Sequence, residues 1–155
     1  RTFVRQPVPR VPVKTYKDKS EFDGSCYFEL LPGPFCGKWR NSGSIFISEH
    51  TWSSYVSPLI VGRVYDYDQY SEVEVPRDLW TRVLRDLERL RSIVLDVESI
   101  WELNVEAHLT DCYDPFQYDH DFPQIKAELL LFVDELHDWL NVTLTTHSSI
   151  TILGL

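Results

Sequence analysis

The sequence lacks the glycine-rich and histidine-rich motifs by which many enzymes can be recognised. Its 155 residues include only six glycines. They form neither a Gly-x-Ser-x-Gly nucleophile elbow nor a glycine-rich phosphate loop. There is also no His-Glu-x-x-His spacing, which would place two zinc ligands on one face of a helix. These absences favour a binding protein over an enzyme.

Cysteine and long apolar runs are scarce as well. Cys26, Cys36 and Cys112 cannot all pair within one chain and contain no Cys-x-x-Cys unit, so we expect a reducing, cytoplasmic location. A bridge between Cys26 and Cys36 stays open, since it would need the two to face each other across a hairpin. No run approaches the ~18 apolar residues of a membrane span, and no signal-peptide core is present. We therefore expect no membrane partner, and the absence of methionine predicts that the native chain starts upstream of Arg1.

The net charge of -9 is unevenly distributed along the chain. Residues 1–20 carry six basic side chains and one acidic one, a balance of +5, so the remaining 135 residues carry -14. Prolines at positions 7, 9 and 12 favour an extended backbone. We therefore predict two parts: an extended, basic, Pro-rich arm over residues 1–20 and a single acidic domain over residues 21–155. The arm either packs along the acidic body or serves as a polyproline II ligand.

The first half of the acidic domain has the composition of strands and turns. CYFELL and SIFIS are aromatic, apolar and β-branched, and turn-rich residues join them. Residues 56–75 continue the pattern and predict two further strands. The apolar stretch SSITILGL near the end predicts a final strand, which has to be inserted in the sheet to hide its side chains.

After Pro76 the spacing of apolar residues changes to steps of three or four. A stripe from Leu79 to Trp101 predicts one amphipathic helix. A second helix is predicted to begin at Asp121, a suitable N-cap with Gln124 three residues later. Together these elements predict an α+β fold, with an antiparallel sheet of about four to five strands and two amphipathic helices packed on it.

Two segments combine tyrosine with acidic residues and contain no lysine or arginine. We name residues 65–74 the first acidic segment and residues 111–121 the second acidic segment. Tyrosine gives a large contact area with few rotors, and clustered carboxylates pair with arginine and lysine. The alternative is that these segments are a strand connection and a helix lead-in. The predicted partner-binding residues are Tyr65, Asp66, Tyr67, Asp68, Tyr70, Glu72, Glu74, Asp111, Tyr113, Asp114, Tyr118, Asp119 and Asp121.

A metal site is the competing interpretation of the stretch CYDPFQYDHDFP, residues 112–123, which overlaps the second acidic segment. Asp119, His120 and Asp121 are adjacent, and in an extended chain alternate side chains point in opposite directions. Completing a site would require His108, Cys112 or His137 from elsewhere, and no recognised ligand spacing supports that. We therefore expect no metal and no cofactor.

These patterns predict a non-enzymatic acidic protein that binds and neutralises a basic protein. An immunity or inhibitor protein that blocks the cleft of a toxin enzyme fits this charge and size. Nucleic acid is not expected as a partner, because phosphates require lysine and arginine. The alternatives are a metal-dependent or acid-base enzyme using His108, His120 and His137, or an adaptor subunit whose Pro-rich arm docks a partner.

Overall fold

The computed structural model describes residues 11–22, 24, 26–65, 67–109 and 119–155, and of Asp119 only the backbone. Short turns of 3-10 helix occupy Lys19–Glu21 and Asp119–Asp121, and one turn of π-helix occupies Trp52–Val56. The strands and helices are β1 Thr15–Tyr16, β2 Tyr27–Pro32, β3 Ile45–Ser48, α1 Glu49–Thr51, α2 Ser57–Ile60, β4 Glu72–Pro76, α3 Arg77–Asp96, α4 Ile100–Glu106, α5 Phe122–Thr146 and β5 Ser149–Leu153.

The strands form one five-stranded antiparallel sheet in the order β1-β3-β2-β5-β4. The predicted α+β fold with an antiparallel sheet is confirmed. The last strand, β5, lies between β2 and β4, as its apolar sequence requires, and all five of its residues are buried. β4 and the two-residue β1 form the edges of the sheet.

The helical face of the sheet, which we define as the face toward α3 and α5, holds the main hydrophobic core. Alternate strand residues such as Phe28, Leu30 and Ile152 point to this side and are fully buried there. Trp80 of α3 is also fully buried, and its indole Nε1 donates a hydrogen bond of 3.2 Å to the carbonyl of Ile150 in β5. This bond ties the first long helix to the centre of the sheet.

The prediction of two strands within residues 56–75 is wrong for its first half. Ser57–Ile60 forms α2, which follows the π-helical turn, and only Glu72–Pro76 is a strand. Burial explains the difference, because Trp52, Tyr55, Val56 and Ile60 are spaced at helical intervals and are all buried. The β-branched composition of this stretch was therefore outweighed by its tertiary packing.

The predicted single helix from Pro76 to Trp101 is divided in two. α3 ends at Asp96, and α4 begins at Ile100 after Ser99, whose hydroxyl accepts a bond of 3.1 Å from the amide of Glu102. Trp101 is consequently 50% exposed and lies outside the buried stripe. The N-cap side chain interrupts the stripe by starting a new helix.

The start of α5 also differs from the prediction. Asp121 occupies the N-cap position, but its side chain makes no capping bond. Its backbone, at φ -91° and ψ 3°, is not in the extended conformation from which a cap side chain reaches the first turn. The carboxylate instead lies 3.5 Å from the Nε2 atom of His120.

The last residues of the predicted arm lie within the fold. Val13 is buried, and its amide donates a bond of 3.1 Å to the carboxylate of Glu128 on α5. Thr15 and Tyr16 pair with β3 as the edge strand β1. Across the described ranges, none of the helices is both long enough and apolar enough to cross a membrane.

Candidate partner-binding surface

The face of the sheet opposite α3 and α5, which we name the open face, carries polar and aromatic side chains. The strand register places Phe46, Glu29, Leu153 and Glu72 directly beside one another across four strands. Glu74 is the next residue of β4 on this face and lies beside Thr151. The cover over this face is uneven, because Glu29 and Leu153 are buried whereas Glu72 and Glu74 are exposed.

Glu29 is the buried acid of the open face, with 2% of its surface exposed. Its Oε2 atom accepts hydrogen bonds from the amide of Asn41 at 2.9 Å, the side-chain amide of Asn41 at 3.0 Å and the hydroxyl of Ser44 at 2.6 Å. Its Oε1 atom accepts from the amide of Arg40, a residue with a positive φ of 63°. A buried carboxylate needs such donors, and these donors fix the 33–44 loop over β2.

An aromatic cavity of about 380 Å³ opens beside this loop. The rings of Phe22 and Tyr27 stack with their centroids 3.9 Å apart, and Phe46 meets Phe22 edge to face at 5.2 Å. Trp39 on the loop and Leu155 near the end of the chain complete the rim. Trp39 is 48% exposed, and tryptophan is enriched among the residues that contribute most to binding at protein interfaces.

The first acidic segment runs along β4 and the turn before it. Tyr65 and Tyr70 are 92% and 67% exposed, and Asp68, Glu72 and Glu74 are exposed as well. Asp66 lies outside the described residues. The exposed members of this segment therefore supply both the aromatic and the acidic groups that were predicted to meet a partner.

The turn that carries Tyr70 is held in place at two ends. The carboxylate of Asp68 accepts a bond of 2.9 Å from the amide of Tyr70. The chain after β5 continues to pair with the turn, since the amide of Leu155 donates to the carbonyl of Gln69 at 3.0 Å. Gly154 makes this possible, because a Cβ atom there would lie 1.9 Å from the Gln69 carbonyl oxygen. The tyrosine-bearing turn is thus anchored to the two residues that follow β5.

Tyr67 differs from the other tyrosines of the first acidic segment. Its ring is half-buried against the core, and its hydroxyl accepts a bond of 3.1 Å from the indole Nε1 of Trp52. Burial raises the pKa of Tyr67 above 10.0, and the nearby charge of Asp68 adds to the increase while the bond from Trp52 opposes it. Tyr67 therefore attaches the segment to the core, and the exposed tyrosines of the segment are Tyr65 and Tyr70.

Most of the second acidic segment lies outside the described residues. This applies to Asp111, Tyr113, Asp114 and Tyr118, to Cys112, and to the side chain of Asp119. Asp121 is partly exposed at the start of α5 beside His120. Whether this segment joins the first acidic segment in one surface stays a prediction.

The three histidines of the enzyme alternative make separate contacts. His137 pairs with Glu88 at 3.0 Å between α5 and α3, and His120 pairs with its neighbour Asp121. His108 follows α4 with a positive φ of 52° and borders a second cavity of about 290 Å³. Within the described ranges, no three His, Cys, Asp or Glu side chains are grouped in a way that could hold a metal ion.

Cys26 and Cys36 are both exposed, and no disulfide joins them. The Sγ atom of Cys36 lies 3.1 Å from Oδ1 of Asn41, the residue that also binds Glu29. The bridge between Cys26 and Cys36 that the sequence left open is therefore not formed in this structure.

The aromatic cavity was missed at the level of sequence. Its residues come from four separate parts of the chain, and strand alternation predicts only that Tyr27 and Phe46 avoid the helical face. A usable signal was the turn-rich stretch PGPFCGKWRNSGS, which places a tryptophan in a loop where no core demands one. Comparison of the chain with protein-family models, curated proteins and solved structures finds no match.

Proposed function

We propose that this protein is a non-enzymatic binding protein that neutralises a basic protein partner, of the immunity or inhibitor type. The single observation that carries the proposal is the position of Tyr70, Glu72 and Glu74. All three are exposed at the β4 edge, and the sequence from Val64 to Pro76 contains no lysine or arginine. A basic cleft on an enzyme presents the complementary charge to such an edge.

The aromatic cavity adds the second component that a tight interface needs. Interfaces draw most of their binding energy from a few aromatic anchors and from pockets that receive the partner's side chains. The cavity and the acidic edge lie on the same open face, with β5 between Glu29 at the cavity and Glu72 at the edge. A single partner can therefore cover both, with its basic residues against Glu72 and Glu74.

The charge of the body supports the choice of a protein partner over nucleic acid. Residues 21–155 carry a net charge of -14, which repels phosphate groups. The same charge accelerates encounter with a basic protein, because complementary potentials steer association. Blocking a nuclease-like or nucleotide-binding cleft is the use that follows, since such clefts are basic to hold phosphates.

The test is affinity capture from the source cell, followed by titration of the captured protein against variants. Glu72→Lys with Glu74→Lys is expected to weaken binding by several kcal/mol, because like charges then face each other. Asp96→Lys with Asp138→Lys is the matched control. It makes the same change in net charge at exposed positions on α3 and α5, and it is expected to alter binding little.

Salt gives an independent measurement on the same pair of proteins. Association is expected to slow as ionic strength rises, since the Debye length falls to about 8 Å near 0.15 M. A captured partner with an acidic surface would contradict the proposal. So would an affinity that falls equally for the edge variant and the control variant, because net charge alone would then explain the binding.

A further inference from the structure

Among the residues that the structure describes, no strand pairs with the outer side of β4, and that side carries a defined set of main-chain groups. In an antiparallel ladder, hydrogen-bonded and non-hydrogen-bonded pairs alternate. The amide of Gly154 donates to the carbonyl of Ser71 at 3.2 Å, and the amide of Arg77 donates to the carbonyl of Ser148 at 2.9 Å. These two bonds fix the phase of the ladder at both ends of the strand.

This phase assigns every residue of β4 to one side. Val73 and Val75 lie in the hydrogen-bonded pairs, opposite Ile152 and Ile150, so their amides and carbonyls point toward β5. The amides and carbonyls of Glu72 and Glu74 consequently point away from the sheet. β4 is an edge strand, so these groups face the position that a further strand would occupy.

The side chains at the same two positions set the chemistry of an added strand. Glu72 and Glu74 are exposed and point to the open face, whereas Val73 and Val75 point to the helical face. In a strand added beside β4, the residues directly opposite the two glutamates would lie within cross-strand contact distance. Lysine or arginine at alternate positions would pair with these carboxylates.

A second copy of this chain does not meet that requirement. Antiparallel pairing of two β4 strands would place the glutamates of one copy opposite those of the other, and like charges directly opposite one another are destabilising. The edge is also short, since Pro76 has no amide hydrogen and α3 begins at the next residue. The two glutamates and the short length of the edge therefore favour a short strand with alternating basic residues.

We propose that the outer edge of β4 binds a basic strand of the partner by β-strand addition, with hydrogen bonds to the main chain of Glu72 and Glu74. This rests on the proposed function and specifies how the same surface would hold its partner. Main-chain bonds would supply the register, and alternate basic side chains would supply the selectivity. The alternative is that the two glutamates prevent the edge from pairing with any other strand.

The first experiment uses a synthetic seven-residue peptide of alternating lysine and valine with blocked ends, added to the full chain. Amide hydrogen exchange at Glu72 and Glu74 is expected to slow when the peptide is present, while exchange at Val73 and Val75 stays unchanged. A peptide of alternating glutamate and valine is the control and is expected to change neither. If exchange stays fast at Glu72 and Glu74 with both peptides, the proposal is wrong. The glutamates would then serve only to prevent strand pairing at this edge.

The second experiment separates main-chain bonding from charge. Glu74→Pro removes an amide that points outward, and proline is tolerated on edge strands in this orientation. Glu74→Gln removes the charge and keeps the amide. We expect Glu74→Pro to weaken peptide binding about tenfold more than Glu74→Gln, since proline removes a hydrogen bond and blocks close approach. Retained slow exchange at Val73 and Val75 confirms that the variant sheet is intact.

Equal weakening by the two variants would show that only charge is recognised, and would overturn strand addition. The same variants distinguish this inference from the proposed function when tested on the captured partner. If charge reversal at Glu72 and Glu74 abolishes partner binding while Glu74→Pro matches Glu74→Gln, the function stands and strand addition is wrong. If neither reversal nor proline affects the captured partner, the proposed function itself is wrong.

Discussion

The two faces of the sheet differ in how completely their side chains are covered. The helical face is closed by α3 and α5, and its strand residues belong to a continuous hydrophobic core. The open face is covered only in part, by the 33–44 loop and the last residues of the chain, and it retains an aromatic cavity and exposed acids. The large apolar core therefore lies on the helical face, whereas the exposed acids and the aromatic cavity lie on the open face.

A similar contrast exists within the open face. Glu29 and Glu72 lie in the same cross-strand row on either side of Leu153, yet one is buried under four hydrogen bonds and the other is exposed. The identity of the residue does not determine its role. The donors that surround a carboxylate decide whether it can be buried and organise a loop or stays exposed to solvent.

The strongest test of the contrast between the two faces uses two tryptophans. Trp80→Ala on the helical face is expected to lower the free energy of unfolding by about 3 to 5 kcal/mol, the usual cost of emptying a large buried site. Trp39→Ala on the open face is expected to cost less than about 1 kcal/mol, because its side chain is half-exposed. Urea denaturation followed by circular dichroism measures both. Equal losses would mean that the open face also holds core structure.

The two glutamates provide the next test. Glu29→Ala is expected to destabilise the protein by about 2 to 4 kcal/mol, because buried donors of Asn41 and Ser44 lose their acceptor. Glu72→Ala is expected to stay within about 0.5 kcal/mol of the wild type, as exposed substitutions usually do. The same denaturation experiment compares them. A stable Glu29→Ala variant would show that the 33–44 loop does not depend on this carboxylate.

A smaller effect is expected where the open face holds the Tyr70 turn. Gly154→Ala places a methyl group against the carbonyl of Gln69, so the turn has to shift, at a cost of about 1 to 3 kcal/mol. Gly24→Ala is the matched control, since a Cβ atom there meets nothing within 4 Å. Thermal unfolding measures stability, and amide exchange at Leu155 reports the bond to Gln69 directly. Unchanged exchange at Leu155 in Gly154→Ala would argue against this anchor.

The smallest effect is a pH dependence at Tyr67. Because its folded pKa is raised above the ordinary 10.0, its contribution to stability is fully present below pH 10 and is lost as pH rises through the raised value. Tyr67→Phe is expected to flatten the loss of stability above pH 10, in addition to a pH-independent cost of about 0.5 to 1.5 kcal/mol for the bond from Trp52. Urea midpoints between pH 8 and pH 11 test this. Parallel curves for the two proteins would contradict the raised pKa.

The sequence was most informative where burial follows a regular period. Alternation and composition predicted β2, β3 and the inserted β5, and steps of three or four predicted α3 and α5. The short helices around the π-helical turn were missed because Trp52 stacks on Phe28 and Tyr55 contacts Phe132, two partners far away along the chain. Local composition cannot specify such long-range burial.

The candidate surface was predictable only in part. The exposure of Tyr65 and Tyr70 agrees with the expectation that tyrosines between acids face outward, whereas Tyr67 in the same run turns inward to meet Trp52. Glu29 gave no signal in the sequence, since its burial arises only when residues 40–44 fold back over β2. Contacts between segments far apart along the chain are what sequence patterns cannot supply.

The phase and length of β4 also limit how copies of this chain could stack. Open-ended fibres grow when both edges of a sheet can template further strands. Here one edge ends at Pro76 and carries paired glutamates, and the other edge, β1, has only two residues. We expect purified protein to resist fibril formation at high concentration, because neither edge offers a long strand to a second copy.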